Sequence, residues 1–441
     1  MNFFQLLLCC CSIISATGGL IKISDNNISD NKPHQNLLND DDIRNGEELT
    51  NTHVFRERIP RRLSRTDILR LGRAHHNYNH EVIFVIQQRN IDELTRVLHD
   101  VSNPSSPNYG LHWTIDEVTD LTSNPEASDA VVSYLYSAGV SIVSETLRGE
   151  FITAAAPIKI WEKMFNTEFY TFHQTHRDKR AEHLIRAEKY WMPRELDSHV
   201  GHVFNIVEMP IGARGRLTKQ TRTSSVSAMA SDPTKWTENG IITPYKLKVY
   251  YNMSNNVRGN KFSTQTIFAS NGQYFSPNDM AAFQTRAGLP LNAVTPVNGH
   301  SSDSKCVEDL VNCYESNLDL QYISAMSPSS PTTHRYTDGD FTSWLVSVAS
   351  DRNPSRVLSL SYVNDEAGNN PGTLETWTTF AIKMGTIGVT ILSASGDDGA
   401  NSYRAQENVS FCGYIPLFPA SCPYVLSIGA TSVSYQIFNH I

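Results

Sequence analysis

The chain has 441 residues, of which 40% are hydrophobic and 19% charged, and its formal net charge is −8. This is enough apolar material for two or three domains and excludes a chain that stays unfolded throughout. The acidic balance argues against nucleic acid as a principal partner, because a phosphate-binding surface normally needs a basic excess.

The first element in the chain is an apolar run from Phe3 to Ile14, followed by Ser15-Ala16-Thr17-Gly18. The small residues suit signal-peptidase cleavage, and the run is too short to span a bilayer, so residues 1–18 are expected to be a secretory signal. No later stretch is long and apolar enough for a stable membrane span. Beyond the signal remain Cys306, Cys313, Cys412 and Cys422. In an oxidising compartment four cysteines suggest two disulfides, in any of three connectivities. Sequence neighbours would pair as Cys306–Cys313 and Cys412–Cys422. A zinc site is the alternative, although no close C-x-x-C pair recommends it. Asn27, Asn252 and Asn408 head N-glycosylation triplets, in keeping with the secretory reading.

Residues 19–52 are polar, with Asp40-Asp41-Asp42, and hold too little apolar surface to fold alone. The basic stretch from Arg56 to Arg73 reads as a solvated helix face, with a processing site as the other possibility. Val82 to Ile86 reads as a strand, and Ile91, Leu94, Val97 and Leu98 fall on one face of a helix. Pro104, Pro107 and Asn108-Tyr109-Gly110 mark a turn. A helix is expected over 128–138, strands over 140–143 and 151–155, a helix over 158–165, and an apolar run over 203–207. This order suits a compact α+β domain over residues 53–210.

Residues 211–235 are rich in Gly, Arg, Ser and Thr without an apolar period, and are expected to form an exposed, cleavable linker. The region from 236 to 441 alternates strands and helices. Strands are expected at 264–269, 357–362 and 389–394. Helices are expected from Ser276 as N-cap with Pro277 at N1, and over 315–326, 341–349 and 374–384. The pattern predicts an α/β, doubly wound parallel sheet, whose functional edge lies at the carboxyl ends of its strands.

Two features fall where that edge would be. Glu315 and Asp319 stand four apart and share a helix face, a spacing that usually marks nothing more than a solvated surface. Ser393-Ala-Ser-Gly396-Asp397-Asp-Gly399-Ala400 follows an apolar strand directly, and its glycines permit a tight turn presenting Asp397.

Together these residues resemble the sedolisin family of serine-carboxyl peptidases, in particular its lysosomal tripeptidyl-peptidase members. Glu315-Ser-Asn-Leu-Asp319 is similar to the family's Glu-x-x-x-Asp helix, and the Asp397 loop to its oxyanion-aspartate loop. Ser359-Leu-Ser-Tyr362 resembles the cleft-lining strand, and Phe418-Pro-Ala-Ser-Cys-Pro-Tyr-Val425 a downstream segment. Ser106-Pro-Asn-Tyr-Gly-Leu-His112 and Phe151-Ile-Thr-Ala resemble the family's activation domain.

The resemblance implies a pro-kumamolisin-like activation prodomain followed by a subtilisin-like peptidase domain. It implies Glu315 as general base for a serine nucleophile, Asp319 as the residue that orients it, and a protonated Asp397 as oxyanion donor. The partners implied are a peptide or protein substrate and the chain's own prodomain. The location implied is the secretory pathway, with lysosome, vacuole or extracellular space as the destination.

The family's Gly-Thr-Ser-x-Ser nucleophile segment is not found in this sequence; Gly429-Ala-Thr-Ser432 corresponds to an earlier strand. The peptidase domain is therefore expected to be truncated and the chain inactive as it stands. Calcium is expected in a full-length family member, but no residues present here support a site for it. The alternative is a non-catalytic pseudo-peptidase that inhibits an active relative or assists its folding.

Of 15 histidines, 11 lie between His53 and His202. Acidification is expected to charge this prodomain, through His173, His176, His199 and His202 among others, and so to weaken its grip on the peptidase domain.

Overall fold

The strand expected at Val82–Ile86 is the centre of the N-terminal module, and it is buried on both faces. Val82, Phe84 and Ile86 point into a core with Trp161, Phe165 and Phe169, while Ile83 and Val85 point the other way, against Val346 and Ala349 of the C-terminal module. Two-sided burial explains why the run is continuously apolar rather than alternating. The computed structural model describes residues 52–60, 68–175, 181–210, 242–253, 260–338, 341–401 and 412–431. The expected signal peptide, most of the polar segment, the 211–235 linker, His176, Ser432 and the triplets at Asn27 and Asn408 lie outside the described residues.

The N-terminal module runs β1 (His53–Arg58), β2 (Ile68–Arg73), β3 (Asn79–Ile86), α1 (Ile91–Ser102), α2 (Ile115–Thr122), α3 (Pro125–Ser137), β4 (Ser141–Glu145), β5 (Phe151–Pro157), α4 (Ile158–Met164), β6 (Phe169–Thr175), β7 (Ala181–Ala187), β8 (Lys189–Pro193) and β9 (Val200–Phe204). Its main sheet is antiparallel, in the order β4-β5-β3-β9. Two smaller sheets, β2-β6-β7 and β1-β8, flank it. The basic stretch 56–73 therefore holds strands β1 and β2 rather than a helix face. Three of its arginines form ion pairs, Arg73 with Glu162 and Glu168, Arg70 with Glu188 and Arg56 with Asp197.

Helix α2 begins with a capping box. Thr114 accepts from the Glu117 N–H at 3.2 Å, and the Glu117 carboxylate accepts from the Thr114 N–H at 2.7 Å. Thr114→Ala is expected to destabilise the protein by about 1 kcal/mol, read as a lowered denaturant midpoint with unchanged slope.

The C-terminal module runs α5 (Pro244–Tyr250), β10 (Gln265–Ala269), α6 (Pro277–Arg286), β11 (Val294–Val297), α7 (Asp303–Glu308), α8 (Tyr314–Met326), β12 (Thr332–Tyr336), α9 (Phe341–Ala349), β13 (Val357–Leu360), β14 (Asn364–Asp365), α10 (Pro371–Thr386), β15 (Thr390–Ala394), β16 (Leu417–Phe418) and β17 (Leu426–Ile428). Six strands form one sheet in the order β11-β12-β10-β13-β15-β17, and every pairing in it is parallel. Adjacent residues of β10 face opposite layers. Ile267 packs with Met280 of α6 and Leu320 of α8, and Phe268 with Trp344 of α9 and Trp377 of α10. Helices thus cover both faces, as in a doubly wound sheet.

The modules share a core. Leu94 and Leu98 of α1 cluster with Trp377, Phe380 and Met384 of α10. Gly385 permits this approach, because a Cβ there would stand 2.8 Å from Leu98 Cδ1.

One disulfide of the expected pair forms, Cys306–Cys313, with Cα atoms 5.5 Å apart. Cys412 and Cys422 are not bonded to each other. Cys412 is exposed, whereas Cys422 is buried against Thr378 of α10, with its thiol held up by burial.

Candidate active site

Helix α8 is pinned by the residues that flank and separate its two acids. The Gln273 side chain donates to Val311 O at 2.9 Å and accepts from the Glu315 N–H at 3.1 Å, which fixes the first turn. The Cys306–Cys313 bridge closes the loop just before it. Ser316 is buried and hydrogen-bonds His334 Nε2 of β12 at 3.0 Å. Burial, with His300 nearby, lowers the His334 pKa to about 4, so this pin stays neutral above that pH. Asn317 ties the helix to α6, accepting from the Ser276 N–H at 3.0 Å and donating to Asp279 at 3.0 Å.

With Ser316 and Asn317 occupied on other faces, Glu315 and Asp319 stand half-buried one turn apart. Asp319 Oδ1 accepts from Ser361 Oγ at 2.8 Å. Ser361 is the residue immediately past β13, so this bond draws the acid pair to the carboxyl edge of the sheet.

Asp397 reaches the same edge from the neighbouring strand. β13 and β15 are parallel with Leu360 opposite Ser393, and Asp397 lies three residues past the end of β15. The turn depends on Gly396, whose φ is +98° and whose Cβ, if present, would stand 2.3 Å from Leu417 Cδ1. Both the backbone and the space require glycine there. Asp397 itself is exposed. Glu315 and Asp319 thus share a helix face, and Asp397 approaches from a separate loop on an adjoining strand. The helical spacing of Glu315 and Asp319 and the glycine turn before Asp397 could be read from the sequence. The roles of Gln273 and Ser361 could not, because a lone Gln and a strand-end Ser carry no spacing signal.

A second polar cluster lies at the junction of the modules. His202 of β9, with a side chain 2% exposed, sits between Glu57 of β1 and Glu208. Glu57 accepts from the Gly372 N–H of α10 at 3.0 Å, and Thr373 Oγ1 lies 3.3 Å from His202 Nε2. Nearby, Lys383 of α10 pairs with Glu150 and donates to Gln88 at 2.8 Å, and Arg148 donates to the carbonyls of Ala349 and Asp351 at 2.6 and 2.8 Å.

Residues 66–209 match the profile of the pro-kumamolisin activation domain. Over 82% of its length the chain is 29% identical to physarolisin of Physarum polycephalum and 26% identical to human tripeptidyl-peptidase 1. It spans 61% and 63% of those two relatives. A solved structure of Pseudomonas sedolisin, a serine-carboxyl proteinase in complex with pseudo-iodotyrostatin, matches at 22% identity with a TM-score of 0.35, covering 44% of this chain and 54% of that one.

A parallel-sheet α/β module thus follows a module that matches an activation-domain profile. The chain is similar to sedolisin-type peptidases, tripeptidyl-peptidase 1 among them.

Among the described residues, no helix is long and apolar enough to cross a membrane.

Proposed function

We propose that this is the precursor of an acid-acting serine-carboxyl peptidase that hydrolyses peptide bonds, as a tripeptidyl peptidase or an endopeptidase. Glu315 takes the proton of the serine nucleophile, Asp319 orients and tunes Glu315, and a protonated Asp397 donates to the developing oxyanion. The observation that carries this reading is the Asp319–Ser361 bond, which holds the acid pair at the sheet edge where the Asp397 loop emerges. A carboxylate base working with a protonated carboxyl donor suits acid pH.

The 53–210 segment keeps the peptidase latent until the 211–235 linker is cut, and the precursor travels the secretory pathway to a lysosome, vacuole or the exterior. The chain as given contains no Gly-Thr-Ser-x-Ser segment. That same observation favours a second reading, a pseudo-peptidase that restrains an active relative.

The test is peptide hydrolysis between pH 3.5 and 5, by this chain and by any longer product of the same gene that carries the serine segment. The chain alone is expected to show no turnover. The serine-bearing product is expected to be active and to lose roughly 10²–10³ in kcat on Asp397→Asn, as for loss of an oxyanion donor. Turnover indifferent to Glu315→Gln and Asp397→Asn would contradict the assignment. Inhibition of tripeptidyl-peptidase 1 by the chain, with no serine-bearing product, would favour the second reading.

A further inference from the structure

We propose that Glu57, His202 and Glu208 form a proton-gated latch that tightens the N-terminal module onto α10 on mild acidification and loosens it on the acid side when Glu208 is protonated. The proposal rests on the reading of residues 53–210 as a domain that separates from the C-terminal module.

The geometry comes first. His202 Nδ1 lies 3.4 Å from Glu57 Oε2, and Nε2 lies 3.2 Å from Glu208 Oε1. A neutral imidazole has one N–H, whereas the imidazolium has two. A ring with a carboxylate oxygen at each nitrogen is therefore placed to be an imidazolium. The same placement disfavours a metal ion, although three potential ligand atoms lie within 4.8 Å of one another. A metal takes one ring nitrogen, while these carboxylates address opposite ones.

The His202 ring is enclosed, while Glu208 borders a cavity at the junction. The Phe204 ring stands edge-on to His202 at 4.4 Å. Arg56 on β1 lies near Glu57 and His202, and Arg186 on β7 donates through Nε to Glu208 O at 2.7 Å, with its charge acting on the Glu208 carboxylate. The buried phenol of Tyr190 on β8 lies within reach of both glutamates' charge. On the far side, α10 supplies the Gly372 N–H and Thr373, and Phe341, Thr342 and Asn364 of the C-terminal module border the cavity beside Glu208. A Cβ at Gly372 would stand 2.3 Å from His202 Nδ1 and 2.8 Å from Glu57 Oε1, so α10 closes directly over the three side chains.

The signs of the titrations follow from this packing. Burial alone would lower the His202 pKa, but Glu57 and Glu208 outweigh it and the net shift is upward from 6.5. Burial raises Glu57 above 4.5, with the Glu208 charge adding to it against His202. Burial would raise Glu208 too, but its hydrogen bond with His202 and the charges of His202 and Arg186 hold it below 4.5. A raised His202 stabilises the docked state fully below its undocked pKa, and that stability is lost as pH rises through the docked value. Raised Glu57 acts in the same direction, favouring docking as pH falls. Lowered Glu208 contributes above its undocked pKa and loses that contribution as pH falls through the docked value. Docking is thus strongest between about 4.5 and 6.5, the ordinary values of the two residue types.

This reverses the sign expected for His202 from the histidine-rich sequence, because that expectation placed no carboxylates beside it. His112, which abuts Gly388 of the C-terminal module, has the expected sign. Burial and Arg356 lower its pKa, against a bond to Thr386, but the side chain is exposed and opposes the latch only weakly.

The test is hydrogen exchange on the full chain from pH 3.5 to 8, read as protection factors in peptides covering 200–208 and 370–386. Wild-type protection is expected to rise as pH falls from 8 toward 6 and to drop below about pH 4.5, by about tenfold per pH unit for one proton. His202→Gln is expected to flatten the upper limb. Glu57→Gln, which keeps the acceptor for Gly372, is expected to shrink that limb without loss of the fold. Protection that falls steadily from pH 7 to 5 in the wild type would overturn the proposal. So would variant profiles that superimpose on the wild type, or an increase in protection on adding Zn²⁺. The readout needs no peptide cleavage. An inactive chain with this profile leaves the latch standing, and an active chain without it removes the latch alone.

Discussion

Lys383→Met is expected to destabilise the full chain by about 3–5 kcal/mol, the usual result of stripping one partner from a buried ion pair. Lys383 on α10 and Glu150, at the start of β5, pair across the two modules with side chains only 6% and 10% exposed. Removing the ammonium leaves the Glu150 carboxylate without its cation in a dry interface, and Gln88 loses its donor as well. The check is equilibrium denaturation of Lys383→Met, Glu150→Leu and the double variant. The double variant is expected to recover much of the loss, because a buried pair contributes little net stability over an apolar replacement. Equal and additive losses would mean that the pair is not coupled. Both partners sit on the surface that joins the N-terminal module to the sheet's helical layer.

Trp377→Ala is expected to cost a similar amount, about 3–5 kcal/mol, for a different reason. The side chain is fully buried and stacks on Trp344 at 5.6 Å and 6°, with Phe341, Phe380 and Phe418 edge-on to it at 5.6–5.8 Å. Rings from α9, α10 and β16 meet here, so truncation opens a cavity that neighbours on three elements cannot collapse into together. The same cluster includes Leu94 and Leu98 of α1. Loss of Trp377 is therefore expected to lower the denaturation midpoint and to loosen the N-terminal module, seen as faster hydrogen exchange in α1. Trp377→Phe keeps most of the ring volume and is expected to be milder.

Much of the fold was legible because its central strands carry their burial openly. Gln265–Ala269, Val357–Leu360 and Thr390–Ala394 are apolar or β-branched and bounded by turns, and they pair as parallel neighbours. Thr332–Tyr336, by contrast, reads Thr-Thr-His-Arg-Tyr and gives no strand signal, yet it is the sheet's second strand. Its polar side chains find distant partners, although His334 Nδ1 and Arg335 Nε have none among the described residues. His334 meets Ser316, and Arg335 reaches Ser347 and Asp351. Strands β6, β7 and β8 were hidden by their mixed sequences, and the one arginine among them, Arg186, finds its partner at Glu208 O only after folding. Helix α2 was missed although Thr114 and Glu117 spell out its capping box, because its eight residues are too short to show a convincing apolar period.

The candidate site divides along the same line. Glu315 and Asp319 are local, so helical spacing announces them. Asp397 is announced by a glycine-flanked turn after an apolar strand. Ser361 on Asp319 and Gln273 on the Glu315 backbone are contacts across 42 residues each. The Glu57–His202–Glu208 cluster spans still more of the chain, and no residue pattern marks it. Histidine count alone suggested a pH device of the opposite sign at this position. Only the carboxylates on either side of the ring decide which way it works.

The central claim is that Glu315, Asp319 and Asp397 form one acid catalytic set at the sheet edge. The measurement that tests it most directly is kcat for peptide hydrolysis at acid pH by a serine-bearing product of this gene, compared across wild type, Glu315→Gln and Asp397→Asn. The account predicts a fall of at least roughly 10² in each variant, with KM little changed, since both groups act on the transition state. An unchanged kcat in either variant would contradict it.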